Sequence, residues 1–274
     1  MIDEDALEEA YNRGLSLEKS GDFDGAAIAY REALELDSDD HAGASVRLAA
    51  MGKGDVPQNA PKAYVATLFD QHADVFDMIL VDQLQYDVPL QLRERLIEVL
   101  DGDFMFEHML DLGCGTGLSA DALDDMAKEK TGIDISENMV AIAYEKGDYD
   151  KLFVGDAVGF LEQAGDQQWD LIVATDVLPY MGQLDDFFKN VAGHLENGGI
   201  FGFSSETTDK ESFADRPFIV GPFQRFAHSE DYLVKVLNDN GLIILDCQNI
   251  VVRLEQQKPV AGQLFIAQKN SPHK

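Results

Sequence analysis

A glycine-rich turn is the segment of this 274-residue chain best suited to hold a charged ligand. It lies in MLDLGCGTGLSADAL, residues 109–123, where an apolar run ends at Leu112 and a helical pattern starts after Gly117. Glycines let a ligand approach the backbone closely, and the start of a helix offers unsatisfied N–H groups. The turn is therefore expected to cradle a nucleotide-like molecule.

The spacing of the turn and the charge beside it favour a cationic ligand over a dinucleotide. GCGTG is G-x-G-x-G, whereas the dinucleotide fingerprint is G-x-G-x-x-G, and Leu118 stands where its third glycine is required. Asp111 ends the preceding strand, and its carboxylate opposes a pyrophosphate but attracts an ammonium or sulfonium group. The alternative for Asp111 is a loop-capping aspartate.

Two more aspartates end the next two predicted strands. Asp134 closes the strand in TGIDIS, 17 residues beyond Gly117, where a carboxylate accepts hydrogen bonds from both ribose hydroxyls. Asp156 follows the next strand in VGDA, in reach of an adenine amino group. Each of them alone is more often a turn residue or a helix cap. Three acidic strand ends in succession behind a glycine turn favour a nucleoside site.

The elements that position these residues form an α/β pattern. One helix is predicted within YVATLFDQHADVFDMILVDQL, and Pro89 opens a second that runs through Leu100. This pattern precedes a Rossmann-like, doubly wound and largely parallel sheet, covered by helices on both faces. The seven strands are predicted from His108 onward in HMLDLG, KTGIDI, KLFVGDA, WDLIVATDV, GGIFGFSS, GLIILDC and QLFIAQK.

The N-terminal residues 7–40 are predicted to form two amphipathic helices joined by SGD. The small residues Gly14, Ala26 and Ala33 and the large Tyr30 resemble the 34-residue tetratricopeptide pattern. The stretch GDFDGAAIAYREALELDSDD resembles the second half of that repeat. A helical hairpin of this kind is therefore expected ahead of the sheet.

A further helix over residues 41–51 would begin a second repeat, but GKGDVPQNAP interrupts it. Since such repeats usually need about three copies for stability, the module should lean on the rest of the chain, on a second copy or on a partner. It is either a docking platform for a protein partner or a structural cap. The predicted organisation is a helical module at 1–54, a linker at 55–62 and a domain at 63–274, with covering helices at 63–107 and the sheet core at 108–274.

In order along the chain, DLGCGTG, GIDIS, GDA and WDLIVATDVLPYM resemble the cofactor motifs of class I S-adenosylmethionine-dependent methyltransferases, over roughly residues 65–270. The resemblance implies that S-adenosylmethionine lies across the carboxyl ends of the strands. It also implies the strand order 3-2-1-4-5-7-6, with the seventh strand antiparallel. The N-terminal repeat and AYVATLFDQHADVFD further resemble a bacterial subfamily of predicted methyltransferases with N-terminal repeats.

The resemblance implies a role for each motif residue. For Met139 and Leu178, core packing is the alternative. The assigned residues are Asp111 near the methionine amino group; Gly113, Cys114, Gly115 and Gly117 along the methionine portion; Asp134 at the ribose; Ile135 and Met139 beside the adenine, with Asp156 and Ala157 at its polar edge; Thr175, Asp176, Val177 and Leu178 facing the sulfonium and the substrate; and Thr116 and Ser136 completing the cofactor-binding set.

Phe69 and Phe76 lie in the helix that covers the cofactor in similar enzymes. An aromatic face beside a sulfonium gives a cation–π attraction, whereas a phenylalanine at helical spacing more often belongs to the core. Core packing is expected for one of the two.

The acceptor side is sought among bases and cations near the fifth and sixth strands. A sulfonium is already activated, so the enzyme must chiefly align the acceptor and exclude water, and no metal is required. A hydroxyl acceptor also needs a general base. His228, in a predicted loop, is the expected base, Arg225 would pair with a substrate carboxylate, and Tyr180 is a further substrate contact. Alternatively, His228 caps the helix that begins near Glu230, and Tyr180 packs against the following helix.

Composition narrows the range of partners. With 51 acidic against 21 basic residues, the formal charge of −30 repels nucleic acid and anionic membranes. Two cysteines, no apolar stretch of transmembrane length and no metal-binding spacing of histidines indicate a cytoplasmic protein without disulfides or zinc. The oligomeric state is left open.

These observations favour methyl transfer to a small molecule, at an oxygen, with carrier-bound or carboxylate-bearing acceptors included. Two alternatives stay open at this point. One is a scaffold that keeps the cofactor fold and acts through its repeat. The other is a nicotinamide-dependent oxidoreductase, which Leu118 disfavours.

Overall fold

The computed structural model describes residues 3–100 and 104–271, a helical N-terminal part followed by an α/β domain. The α-helices before the first strand are α1 (Glu4–Ser20), α2 (Phe23–Leu36), α3 (Ala44–Ala50), α4 (Lys62–His72) and α5 (Val88–Val99). The strands are β1 (Phe106–Leu112), β2 (Ala127–Asp134), β3 (Lys151–Val154), β4 (Trp169–Ala174), β5 (Leu195–Glu206), β6 (Phe218–Val220), β7 (Phe226–His228), β8 (Leu242–Glu255) and β9 (Lys258–Lys269). The helices among the strands are α6 (Leu118–Ala122), α7 (Glu137–Lys146), α8 (Ala157–Gln163), α9 (Asp185–His194), α10 (Lys210–Phe213) and α11 (Glu230–Asp239). Within these residues, none of the helices combines the length and the apolar character needed to cross a membrane.

The first two helices form the predicted hairpin. Gly21 ends α1 in the left-handed conformation, and Asp22 caps α2 by accepting a hydrogen bond of 2.9 Å from the Gly25 N–H. Tyr30 of α2 is fully buried against Gly14 of α1, where an added Cβ would lie only 2.6 Å from the tyrosine ring. This pairing of a large residue with a small one is the contact that the tetratricopeptide pattern predicts.

Residues 62–83, which we call the covering segment, lie between the helical module and α5. The segment is not the continuous helix that was predicted, because α4 is followed by a 3-10 turn at Ala73–Val75 and a π-helix at Met78–Gln83. No residue of α4 is buried, since its apolar side faces a cavity rather than the core. Short π-helical stretches of this kind often occur at functional sites.

The sheet of seven strands has the order β3-β2-β1-β4-β5-β9-β8. Strands β1 to β5 pair in parallel, and β9 is antiparallel to both of its neighbours. Because β8 and β9 are the sixth and seventh strands of this sheet, the predicted order 3-2-1-4-5-7-6 is confirmed. From β1 the chain continues to β2 and β3 on one side of that strand and then crosses to β4 on its other side. This reversal opens a crevice at the carboxyl ends of these strands.

Two features of the last third of the chain were not predicted. The stretch before α11, expected to be a loop, contains the β6–β7 hairpin, in which Phe218 pairs with His228. The expectation of a loop was wrong because strands of three residues give too short an alternation to be recognised. Strand β8 also continues beyond the predicted GLIILDC as far as Glu255, with two irregularities in its pairing to β9.

Apolar side chains cover both faces of the sheet. One face packs against α8, α9 and α11, and the other packs against α5 and the region of α6. On the first face, Phe203 of β5 pairs across the strands with Phe265 of β9, and their rings stack with centroids 5.0 Å apart. Phe201 stacks on the other side of Phe203 at 4.7 Å.

Removing the central ring of this stack should destabilise the whole domain. For Phe203→Ala we expect the free energy of unfolding to fall by about 3–5 kcal/mol, since the cavity in a close-packed core is only partly filled by relaxation. Urea denaturation followed by circular dichroism measures this change. Ile28→Ala, at a side chain that is 67% exposed, is the control and should change it by less than about 0.5 kcal/mol. Equal losses in both variants would contradict this description of the core.

Candidate active site

A cavity of about 480 Å³ lies at the carboxyl ends of the strands, beneath the covering segment. Its size is typical of a site for a nucleoside and a small second ligand. Most of the residues assigned from the sequence line it, and they come from the ends of four neighbouring strands and from the covering segment. Those residues are Phe69, Phe76, Gly113, Cys114, Gly115, Thr116, Asp134, Ile135, Asp156, Ala157, Thr175, Asp176, Val177, Tyr180 and Arg225.

The glycine turn brings bare backbone to the wall of this cavity. Gly113 has φ 75°, and an added Cβ would lie 2.4 Å from Val177 Cγ2, so a side chain fits neither the backbone conformation nor the space. The N–H groups of Gly113 and Cys114 both donate to the Ile133 carbonyl, at 2.8 and 2.9 Å. These two bonds fix the turn to β2. The turn, and not β1 itself, forms this part of the cavity wall.

Asp111 lies behind the turn, is completely buried and does not itself line the cavity. Tyr149 donates a hydrogen bond of 2.6 Å to Oδ2, whereas Oδ1 has no partner among the described residues. The nearby Ser119 hydroxyl pairs with Thr175 Oγ1 at 2.9 Å, and either of the two can be the donor. Burial raises the pKa of Asp111 to about 7, the Tyr149 hydrogen bond and the nearby Ser119 hydroxyl oppose this shift, and the charge of Asp134 adds to it. A buried carboxylate oxygen without a donor suits the ammonium group of a ligand.

Asp134 stands at the end of β2 and at the edge of the cavity. Its two carboxylate oxygens accept backbone N–H bonds of 2.9 Å, Oδ2 from Gly115 and Oδ1 from Ser136. Burial raises the pKa of Asp134, and these two backbone donors oppose the shift. Each oxygen retains a second lone pair, so the carboxylate can also accept hydrogen bonds from a pair of hydroxyl groups.

Asp156 reaches the cavity, but its side chain already has partners. It caps α8 by accepting from the Gly159 N–H at 3.0 Å, and Lys62 Nζ lies 2.9 Å from Oδ2. Sequence reasoning did not anticipate the contact with Lys62, because the two residues are far apart in the chain. The expected contact of Asp156 with the polar edge of adenine stays a prediction.

Three aromatic rings form a roof over the cavity. Phe76 lies above Gly115, with its Cε1 atom 3.8 Å from the position of an added Cβ. Phe69 contacts Phe76 and Tyr180 edge to face, with ring centroids 5.9 and 5.2 Å apart. Both phenylalanines line the cavity, so the expectation that one of them belongs to the core does not describe their placement. Tyr180 combines both expected roles, because it lines the cavity and also packs in an apolar cluster with Phe218.

Several assigned residues lie next to the cavity without lining it. Met139 and Leu178 are completely buried and pack in the interior, which corrects their assignment to the adenine and the sulfonium in favour of the core alternative. Ser136 is also buried and caps α7 through the Met139 N–H at 3.1 Å. Gly117 precedes α6 in the left-handed conformation, with φ 99°. The last two therefore shape the site rather than face it.

His228 does not occupy the position expected of a base. It is completely buried in β7, and burial lowers its pKa to about 4, so the ring is neutral. Nε2 lies 2.8 Å from the Met181 carbonyl, which can only accept, so Nε2 carries the proton and Nδ1 accepts from Ser205 Oγ at 2.9 Å. With both nitrogens engaged away from the cavity, His228 does not fit the role of a base. The cap of α11 is its neighbour Ser229.

A buried charge cluster missed by the sequence analysis lies at the edge of the cavity, which Asp176, Arg225 and Arg253 line. Arg253, 1% exposed on β8, donates through Nη1 to both carboxylate oxygens of Asp176 at 2.9 and 3.0 Å. Its Nη2 donates to Glu206, and its Nε lies 3.6 Å from Glu255. Arg225 donates to Glu255 at 2.8 Å and lies 3.9 Å from Glu206.

The cluster contains two guanidinium groups and three carboxylates. Arg225 therefore has no unpaired positive charge to offer, which corrects the expectation that it pairs with a substrate carboxylate. Asp176 is the carboxylate of the cluster that lines the cavity, and it adopts a left-handed backbone conformation with φ 59°. Strain of this kind persists where the surroundings hold a residue in place and is frequent at functional sites. Across residues 3–100 and 104–271, no three His, Cys, Asp or Glu side chains are grouped to hold a metal ion.

Comparisons with known proteins agree with this architecture. A family profile described as a methyltransferase domain matches residues 110–201, and a tetratricopeptide repeat profile matches residues 7–40. A probable S-adenosylmethionine-dependent methyltransferase of Saccharomyces cerevisiae is 25% identical over 175 residues, which cover 62% of this chain and 58% of that protein. A ubiquinone biosynthesis O-methyltransferase of Bradyrhizobium diazoefficiens is 25% identical over 155 residues, which cover 53% of this chain and 61% of that protein. The chain thus spans about six tenths of the length of these two relatives.

Solved structures share the fold. The crystal structure of magnesium protoporphyrin IX methyltransferase from Synechocystis PCC 6803, with bound S-adenosylhomocysteine, superposes with a TM-score of 0.58 at 20% identity, covering 76% of this chain and 99% of that one. Residues 110–201 thus match a methyltransferase domain family, and the α/β domain shares the Rossmann-like fold of these solved structures. A match to the tetratricopeptide repeat precedes that region in the chain.

The raised pKa of Asp111 predicts a specific dependence of stability on pH. Its pKa of about 7 in the folded protein exceeds the ordinary value of 3.8, so between these values the folded state holds a proton that the unfolded chain has released. The unfolding free energy should therefore fall as pH rises from about 4 to 7, by at most about 1.4 kcal/mol per pH unit from this group, and level off above pH 7. Urea denaturation of the protein and of Asp111→Asn across this range measures the difference. Identical pH profiles for the two proteins would contradict the raised pKa of Asp111.

Arg253 should be essential for the stability of the charge cluster. Replacing it by methionine leaves three carboxylates facing one arginine, and we expect a loss of about 3–5 kcal/mol in unfolding free energy at neutral pH. The loss should shrink at lower pH, because burial raises the pKa of Glu206 and its protonation removes one of the unpaired charges. Chemical denaturation measures it, with Arg253→Lys as the charge-preserving control. A methionine variant as stable as the lysine variant would rule out this role.

Proposed function

We propose that this protein is a methyltransferase that uses S-adenosylmethionine to methylate an oxygen atom of a small molecule. The observation that carries the proposal is the unpartnered Oδ1 of Asp111 behind the glycine turn, with Asp134 at the next strand end. One buried carboxylate suits an ammonium group, and the other suits a pair of ribose hydroxyls. The two groups occur together in S-adenosylmethionine, and the cavity has room for a nucleoside and an acceptor.

The residues of the chain act by binding, positioning and excluding water. In the proposed complex, Asp111 meets the ammonium group, the backbone from Gly113 to Gly115 runs along the methionine portion, and Asp134 holds the ribose. S-adenosylmethionine supplies a methyl group on a positively charged sulfur that leaves as a neutral thioether. The roof formed by Phe69, Phe76 and Tyr180 excludes water and offers aromatic faces to a cation.

The acceptor side favours a neutral hydroxyl over a carboxylate. The charge cluster around Arg253 already has more carboxylates than arginines, so an anionic acceptor finds no unpaired cation there. Asp176 presents a carboxylate to the cavity. This carboxylate is placed to take up the proton that the methylated hydroxyl group loses. The relative from Bradyrhizobium diazoefficiens is an O-methyltransferase by name, which supports oxygen as the acceptor atom.

We also propose the setting in which the protein acts. Cys114 and Cys247 are both free thiols, which supports a reducing compartment such as the cytoplasm. The excess of acidic residues supports a small-molecule acceptor rather than a nucleic acid or a membrane surface. The tetratricopeptide repeat supports a protein partner for the module at 1–54, ahead of the linker at 55–62 and the domain at 63–274.

Cofactor binding tests the proposal most directly. Isothermal titration calorimetry with S-adenosylhomocysteine should show binding to the protein, and Asp111→Asn and Asp134→Asn should each weaken it at least about 10-fold, because a charge-assisted hydrogen bond contributes about 1.5–3 kcal/mol. Asp166→Asn, at an exposed aspartate outside the cavity, is the matched control and should bind like the unmodified protein.

A second arm of that experiment uses NAD, which should not bind. Binding of NAD in place of S-adenosylhomocysteine would favour the oxidoreductase alternative, and binding of neither ligand would overturn the proposed function. Transfer of tritium from methyl-labelled S-adenosylmethionine to a pool of hydroxylated metabolites then tests catalysis. Cofactor binding without any labelled product would favour a scaffold over an enzyme.

A further inference from the structure

Exposed polar contacts attach the covering segment to the sheet, from its first residue, Lys62, as far as Asp77. Lys62 pairs with Asp156 at the end of β3, and this lysine is 71% exposed. Asp77 accepts hydrogen bonds from Thr116 in the glycine turn and, at 2.6 Å, from Lys146 of α7. Exposed ion pairs contribute only about 0–1 kcal/mol each. These attachments are therefore weak enough to break and re-form.

A third attachment lies between these two. Asp70 accepts a hydrogen bond of 2.6 Å from the Ser136 hydroxyl and one of 3.1 Å from the Asn138 N–H. The FD pair at 69–70 recurs at 76–77, and in both pairs the phenylalanine faces the cavity while the aspartate is bound to the loops that follow β1 or β2. A ligand beneath the two phenylalanine rings is thus covered by a segment whose attachments all end beside the proposed cofactor residues.

The first turn of α4 also makes buried apolar contacts to the helical module. Val46 of α3 and Phe226 of β7 are completely buried and form one cluster with Ala60, and Tyr64 and Val65 of α4 pack against it. Apolar burial of this kind is stronger than the exposed polar contacts of Lys62 and Asp77.

The backbone before α4 is also fixed to the domain. The Ala60 N–H donates to the Tyr180 carbonyl at 3.0 Å, and the Gln58 carbonyl accepts from Gly182 and Gln183 at 2.8 and 2.7 Å. The start of the covering segment is therefore fixed to the domain. The packing of α3 against the first turn of α4 then sets the direction of α4.

Gly43, just before α3, makes the closest contact with this first turn. It has φ 71°, and an added Cβ would lie 2.5 Å from Tyr64 Cδ2. The Tyr64 ring thus lies directly on bare backbone, and any shift of the module relative to the domain displaces the start of α4. Gly52, after α3, has a similar φ of 67° but nothing within 4 Å of an added Cβ.

We propose that the helical module regulates exchange of the cofactor. Through Gly43 and Val46, the module holds Tyr64 and sets the angle of α4, and this angle determines how well the weak attachments at Asp70, Asp77 and Lys62 close over the bound nucleoside. The proposal rests on the proposed cofactor site and assigns the tetratricopeptide repeat a regulatory role that is neither a cap nor a passive platform. A protein that binds the module and shifts α3 would change the rate of cofactor release.

A pair of glycine substitutions tests the coupling in the full-length protein. Release of tritiated S-adenosylhomocysteine is followed after addition of excess unlabelled ligand. Gly43→Ala should accelerate release by about 5-fold or more, a coupling at the lower end of those between distinct sites. Gly52→Ala imposes a similar backbone strain in the same module without touching Tyr64 and should stay within about twofold of the unmodified protein. Equal release rates for the two variants would overturn the proposal.

Tyr64→Ala provides a second test that adds no backbone strain. It should also accelerate release, and Gly43→Ala should have no further effect in the Tyr64→Ala background, because both changes remove the same contact. Additive effects in the double variant would overturn the proposal, and so would unchanged release from Tyr64→Ala. A protein that fails to bind the tritiated ligand at all would instead contradict the proposed function, so the two failures are distinguishable.

Discussion

Asp111 holds a carboxylate in the interior of the protein, and much of the cleft is organised around this group. It is completely buried, Tyr149 donates its one hydrogen bond, and Oδ1 is left without a donor. An ionised carboxylate in this state is unfavourable unless a proton or a cation lies beside it. A proton meets that need in the free protein, which is why the pKa of Asp111 rises to about 7. A ligand ammonium group would meet the same need in the proposed complex. Burial of this carboxylate is unfavourable when no ligand is bound. The same burial therefore favours a cationic ligand over a neutral or anionic one.

The two sides of the cavity differ in how their carboxylates are neutralised. On the side proposed for the cofactor, Asp111 and Asp134 are stabilised by hydrogen bonds from a tyrosine and from backbone N–H groups, without a paired cation. On the other side, Asp176 is paired with the buried Arg253, whose guanidinium also donates to Glu206. The first side therefore favours a positively charged ligand, whereas the second side has no net attraction for an anion. This asymmetry suits the proposed reaction between a sulfonium and a neutral acceptor, and it agrees with the methyltransferase domain profile that matches residues 110–201.

The helical module depends on the domain for its own stability. A tetratricopeptide array shorter than about three repeats buries too little apolar surface to be stable by itself. Here α3 has no partner helix of its own and instead packs Val46 against the β6–β7 hairpin and against α4. The repeat thereby becomes continuous with the structure that covers the cavity. A module that is too short to stand alone therefore packs against the segment that covers the cavity, which is the contact on which the proposed control of cofactor exchange rests.

The sequence by itself determined the order of the main sheet, the helical hairpin and the edge of the sheet at which the proposed cofactor residues meet. These features depend on local patterns, since Gly113, Asp111 and Asp134 lie at strand ends whose parallel pairing places them at one edge. Only the tertiary structure decided the acceptor side. Arg253 lies on a part of β8 whose alternation gave no signal, and it meets Asp176 only because β9 pairs with both β5 and β8 and so brings the end of β8 to this edge of the sheet. His228 has the residue type of a base, but a short hairpin turns it into the interior, where both of its nitrogens are engaged. Spacing along the chain predicts which groups share a strand end, whereas burial and pairing between distant segments decide which of them face a ligand.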